Sequence, residues 1–109
     1  MGGRGDERRA YARLPLKLAV RWESASGGHR SLTGDLAMAG CFIETGAEAA
    51  AGESVTVRIR QRSGRWLRLR GVVAYRRAGA GFGVGFLDLG EAERTAIAEL
   101  IVGTGPGRL

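Results

Sequence analysis

From Leu16 the chain alternates, with Leu16, Leu18, Val20 and Trp22 on one side and Lys17, Ala19, Arg21 and Glu23 on the other. A period of two marks a strand with one buried face. Ser24–Gly28 is a turn cluster, from which His29–Asp35 returns as a second strand. Gly40 leads into a third short strand, Cys41–Glu44. After a loop of small residues, Thr45–Gly52, the residues Val55, Val57 and Ile59 alternate with Thr56, Arg58 and Arg60. The turn Arg62–Gly64 opens the run Trp66–Arg77, long enough for a bent strand with Gly71 as its expected kink. Ala78–Gly81 then turns the chain into the last strand, Phe82–Leu87. Beyond it the period changes. Asp88 and Glu91 have the spacing of a capping box, Ala92, Ala96, Ile97, Leu100 and Ile101 recur at helical spacing, and Gly103 follows as a stop. The pattern predicts a mainly β fold, a small six-stranded antiparallel split barrel with one C-terminal α-helix packed on it.

A chain of 109 residues fits one domain. The expected division is a disordered tail over 1–6, a barrel domain over 7–102 and a loose tail over 103–109. Nineteen glycines against two prolines suit short strands and tight turns. No apolar run approaches the ~20 residues that cross a bilayer, and Met1–Arg13 lacks the apolar segment of a signal peptide, so a cytoplasmic chain without membrane insertion is expected. Cys41 is the single cysteine and reads as a buried small hydrophobe. His29, beside Gly28 at the turn, is the single histidine. One Cys and one His build neither a familiar zinc site nor a Cys–His couple with an orienting third group, so no enzyme and no cofactor is expected.

Charge adds to this picture. The net charge is +6. No acidic residue lies between Glu53 and Asp88, where Arg58, Arg60, Arg62, Arg65, Arg68, Arg70, Arg76 and Arg77 all fall. A second group, Arg4, Arg8, Arg9 and Arg13, forms an arginine-rich N-terminal arm, expected to be flexible. Lys17 is the one lysine. The planar guanidinium fork suits phosphates and the O6/N7 edge of guanine, which leans toward an anionic, nucleotide-like partner. A solvated basic face that aids solubility is the alternative. Nucleic acid is the weaker candidate partner, because only Trp66 and Tyr75 interleave the arginines of 58–77.

Three local patterns occur in order. Arg8-Arg9-Ala10-Tyr11-Ala12-Arg13 contains an RxxxR element at Arg9 and Arg13. Asp35-Leu36-Ala37-Met38-Ala39-Gly40 follows a [D/N]xSxxG pattern except that Ala37 replaces the serine. Gly83-Val84-Gly85-Phe86-Leu87-Asp88 is a glycine-bearing terminal strand. RxxxR just before the first strand, some twenty residues ahead of D-x-A-x-x-G, resembles the PilZ domain family over about Glu7 to Ile101.

The resemblance implies a receptor for cyclic di-GMP, the bacterial second messenger, with the RxxxR arm wrapped over the ligand and the second motif holding a guanine from the barrel surface. Carried over, Arg9 and Arg13 pair with phosphates and guanine edges, and Arg8 is a third cation. Asp35 accepts from the guanine N1–H and N2–H₂, and Gly40 gives the turn its backbone freedom. The alternative for Asp35 is an Asx-turn at a strand end. Ala37 removes about one neutral hydrogen bond, ~0.5–1.5 kcal/mol, which amounts to at most roughly tenfold in affinity. Tyr75 or Arg76 is the candidate to stack on a guanine, although plain alternation puts Tyr75 with Leu67, Leu69 and Val73 in the core. Trp22 and Trp66 read as packing or a surface patch. Such a receptor acts through an unidentified downstream protein. A degenerate PilZ-like adaptor that binds no nucleotide is the competing reading, and Ala37 is its direct support.

Overall fold

The computed structural model describes residues 14–25 and 27–104. The elements are β1 (Leu14–Pro15), β2 (Ala19–Ser24), β3 (Gly27–Ala37), β4 (Gly40–Glu44), β5 (Ser54–Arg60), β6 (Trp66–Arg77), β7 (Gly81–Leu87) and one helix, α1 (Glu91–Thr104). All strand pairings are antiparallel. They run β3-β2-β5-β6-β7-β4 and return from β4 to β3, so six strands close into a barrel. The short β1 lies along β3, with Leu14 opposite Leu36 and Pro15 opposite Asp35.

The six predicted strands are present, and the alternation decides what each one buries. Val20 and Trp22 from β2, Val55, Val57 and Ile59 from β5, Leu69 and Val73 from β6, and Phe82 and Val84 from β7 fill the interior. Cys41 is buried beside them, 2% exposed, as a small apolar residue. Trp22 packs edge-to-face on Phe82 at 4.9 Å, and its Nε1–H donates to Ser31 Oγ at 3.1 Å, so the largest core side chain is buried with its polar atom paired. His29 lies on β3, opposite Trp22, and stacks on its ring at 4.5 Å.

Four local expectations are corrected. The first strand starts at Ala19 rather than Leu16, because the buried Thr33 bridges the chain just before it. The Leu18 N–H donates to Thr33 Oγ1 at 2.9 Å, and that hydroxyl donates to the Leu16 carbonyl at 2.5 Å. In β6 the irregularity falls between Val73 and Tyr75, not at Gly71. Gly71 serves a close approach instead, since a Cβ there would lie 2.5 Å from Val84 Cγ1 and 2.8 Å from the Gly85 carbonyl oxygen. On its other side the backbone of Val73 bonds Gly52 and Glu53, extending the pairing with β5. The helix cap sits two residues later than predicted. Glu93 Oε1 accepts the Gly90 N–H at 2.9 Å, while Asp88 adopts a left-handed φ of 52° and pairs with Arg70. Finally, α1 continues through Gly103 to Thr104.

The helix buries Ile97 and Leu100. It packs mainly against β3 and β6, strands that are opposite one another in the ring, so it lies across one end of the barrel and completes the core there. No described helix is long and apolar enough to cross a membrane.

Candidate functional site

Two single-residue bulges build the site. In β3 the register slips between Thr33 and Asp35, so Gly34 is an extra residue. Thr33 and Leu36 both point inward and are fully buried, and the slip between them turns Asp35 to the outer surface. In β6 the extra residue is Ala74. Val73 is buried, and Tyr75 lies on the outer face directly over Gly83, where an added Cβ would meet its ring at 2.3 Å. Tyr75 is therefore not a core residue, because the bulge reverses the alternation that assigned it there.

Between these bulges Phe42 of β4 lies on the outer side of the barrel, covered by its neighbours and only 7% exposed. Its ring stacks with that of Tyr75 at 6.2 Å, inclined by 26°, and the Arg77 guanidinium sits over it at 5.2 Å. The Phe42 N–H donates to Asp35 Oδ1 at 3.2 Å, which orients the carboxylate across the strand pair; this bond replaces the Asx-turn alternative for Asp35. Glu44 closes one side and holds Lys17 at 2.5 Å. Together Gly34, Asp35, Phe42, Glu44, Tyr75, Arg77 and Ala80 line an open depression of about 510 Å³. Its walls offer an acceptor pair for amidine-type donors, a fixed cation and an aromatic face, the chemistry that a guanine base or a nucleotide phosphate would meet.

The other sequence-predicted residues fall as follows. Ala37 sits two residues beyond Asp35 on β3 and is half-buried, opposite Gly40 at the start of β4. Gly40 has no left-handed φ, which corrects the turn-freedom reading. A Cβ there would stand 2.2 Å from the Val84 carbonyl oxygen, so glycine is required for β4 and β7 to meet. Arg76 is not among the residues lining the depression. It pairs with Phe82 in register and reaches Glu48 at 3.7 Å. Arg77, which sequence reasoning missed, takes the place at the site. The resemblance pointed to its neighbour Arg76, and the one-residue bulge before Tyr75 exchanges the faces of the two. Phe42 was missed for a different reason: an outward-facing aromatic in a short apolar strand reads as core. Arg8, Arg9 and Arg13 lie outside the described residues. The described chain begins at Leu14, and Pro15 pairs with Asp35 on β3.

No curated protein matches this sequence. Solved structures do resemble it. The PilZ domain of CeSA from a cellulose-synthesizing bacterium superposes with a TM-score of 0.67 at 22% identity, over 84% of this chain and 95% of that one. The Bacillus subtilis inhibitor of motility MotI/DgrA gives 0.68 at 19% identity, over 84% of this chain and 48% of that one. These likenesses confirm the barrel with its helix. The sequence model of the PilZ domain matches residues 7–103, nearly the whole chain, and the chain belongs to the PilZ domain family.

Proposed function

We propose that this protein is a cyclic di-GMP receptor that binds its ligand on the outer surface of the barrel over β3, β4 and β6. PilZ domains are as a family receptor and adaptor domains for this second messenger rather than enzymes. The observation that carries the reading for this chain is the convergence of Asp35, Phe42, Tyr75 and Arg77 on one depression, with Pro15 of β1 paired to Asp35. Asp35 accepts from guanine N1–H and N2–H₂. Arg77 supplies a planar cation for O6/N7 or a phosphate, and Tyr75 supplies a ring for stacking. Arg8, Arg9 and Arg13 provide the remaining charge for a ligand with two phosphates, and Ala37 and Gly40 frame the turn beside it. The occupied receptor then presents a changed surface to a downstream protein.

The adaptor reading is favoured by Ala37 alone. Loss of one hydroxyl lowers affinity by at most roughly tenfold, which is too little to empty a site with this many contacts.

Calorimetric titration of cyclic di-GMP into the protein, alongside Arg9→Ala/Arg13→Ala and Asp35→Ala variants, tests the reading. Submicromolar to low-micromolar binding that GMP does not match, and that both variants lose, is the expected result. No binding at ~100 μM ligand, a level that still detects ~5–6 kcal/mol, would leave the adaptor reading in its place.

A further inference from the structure

The half of the barrel opposite the depression carries a feature that no linear stretch of the sequence displays. Arg30 on β3 is the register partner of Arg21 on β2, Arg21 is the partner of Arg58 on β5, and Arg58 is the partner of Arg68 on β6. Four arginines thus stand in one row across four adjacent strands. All four project outward, because their neighbours Val20, Trp22, Val57, Ile59 and Leu69 face the core. Such direct like-charge pairs oppose strand association. Among the described residues only Arg58 of the four has an acidic partner, Glu23 at 3.3 Å. A fifth arginine, Arg60, flanks the row. The Trp66 ring beside it is covered by the guanidinium groups of Arg21 and Arg60 at 4.7 and 5.1 Å.

With strands ~4.8 Å apart the row is about 14 Å long. One strand of a nucleic-acid duplex sets a phosphate about every 3.4 Å along its axis, so the row faces about four successive phosphates. Folded protein surfaces mix both signs of charge, and an acidic row this dense on a partner would carry the same self-repulsion that this row does. Trp66 is engaged by two arginines, so it is not a bare platform for an unpaired base, which sets the face apart from single-strand binders. We propose that the outer face of β3-β2-β5-β6 is a binding surface for the phosphate backbone of duplex DNA, independent of base sequence and separate from the nucleotide depression.

Fluorescence anisotropy with a labelled mixed-sequence 20-base-pair duplex, titrated between 50 and 200 mM KCl, tests this. Four phosphate contacts give a log–log salt slope of about −3.6, a loss of about 150-fold over that range. Arg30→Gln/Arg68→Gln removes two of the contacts, and its slope falls to about −1.8. Arg65→Gln/Arg94→Gln removes the same net charge from the side that carries the helix, where Arg65 lines a crevice with Ala96 and Glu99. This second variant keeps the parent slope. Equal weakening in both variants would assign binding to net charge and overturn the proposal. It is equally overturned if the duplex does not bind, if poly-L-glutamate of matched charge displaces it as well as unlabelled duplex does, or if phosphatidylglycerol vesicles outcompete it.

Discussion

At the scale of single residues, the sites that decide this fold are those where something is missing. Gly40 leaves 2.2 Å between an imagined Cβ and the Val84 carbonyl oxygen, a gap no side chain tolerates between two hydrogen-bonded strands. Gly46, in the loop before β5, has open space around it and no left-handed φ. The same Gly→Ala change therefore has opposite expected signs. At Gly40 it prises β4 from β7 and costs about 1–3 kcal/mol as overpacking. At Gly46 it is neutral, or stabilises by about 0.4–1 kcal/mol by restricting the unfolded chain. Urea denaturation of both variants checks this, and equal losses at the two positions would contradict the close-approach account. Thr33 is the polar counterpart, since its buried hydroxyl satisfies backbone groups of both Leu16 and Leu18. With the backbone bonds Leu16 N–H to the Gly34 carbonyl and Thr33 N–H to the Leu18 carbonyl, it fixes the segment between β1 and β2 on β3.

At the scale of elements, the period-two pattern made the strands legible and the bulges made the site illegible. Alternation located the core residues of β2 and β5, and those of β6 as far as Val73, because each run of apolar positions reinforces the same phase. A bulge is a single residue of phase slip, and neither Gly34 nor Ala74 announces itself in composition. Asp35 was still recognised through its motif, independently of phase. Tyr75 and Arg76 were named through the resemblance, while phase alone placed Tyr75 in the core, and neither line of reasoning pointed to Arg77. The slip has a direct consequence for binding. Tyr75→Ala and Arg77→Ala should each weaken cyclic di-GMP binding by roughly 5- to 100-fold, the range that one base stack or one charged hydrogen bond supplies. Arg76→Ala, which faces Glu48 instead, should stay within about twofold of the parent. Calorimetry ranks the three. A larger loss at Arg76 than at Arg77 would show that the bound state uses the unbulged phase.

At the scale of the whole molecule, closure of the ring divides the outer surface between two chemistries. β3 and β6 contribute to both, so the depression centred on β4 and the arginine row centred on β2 and β5 sit on opposite sides of one packed core. The row was invisible in the sequence because it is assembled by register from four strands, two of them outside the acid-free stretch that drew attention. The helix across the barrel end, with Ile97 and Leu100 buried, leaves that core no obvious slack through which one face would move the other. The two faces should therefore act independently. Changes at sites more than about 7–10 Å apart with no shared partners usually combine within about 0.3–0.5 kcal/mol. A cycle of Arg77→Ala, Arg30→Gln/Arg68→Gln and their combination, each titrated separately with cyclic di-GMP and with duplex, measures the coupling. The expected result is a cyclic di-GMP affinity that the row variant shifts by less than about twofold, and a duplex salt slope that Arg77→Ala leaves unchanged. A coupling above ~1 kcal/mol would mean that the shared strands β3 and β6 change position when either face is altered, and the barrel would then be a two-state element rather than a rigid support.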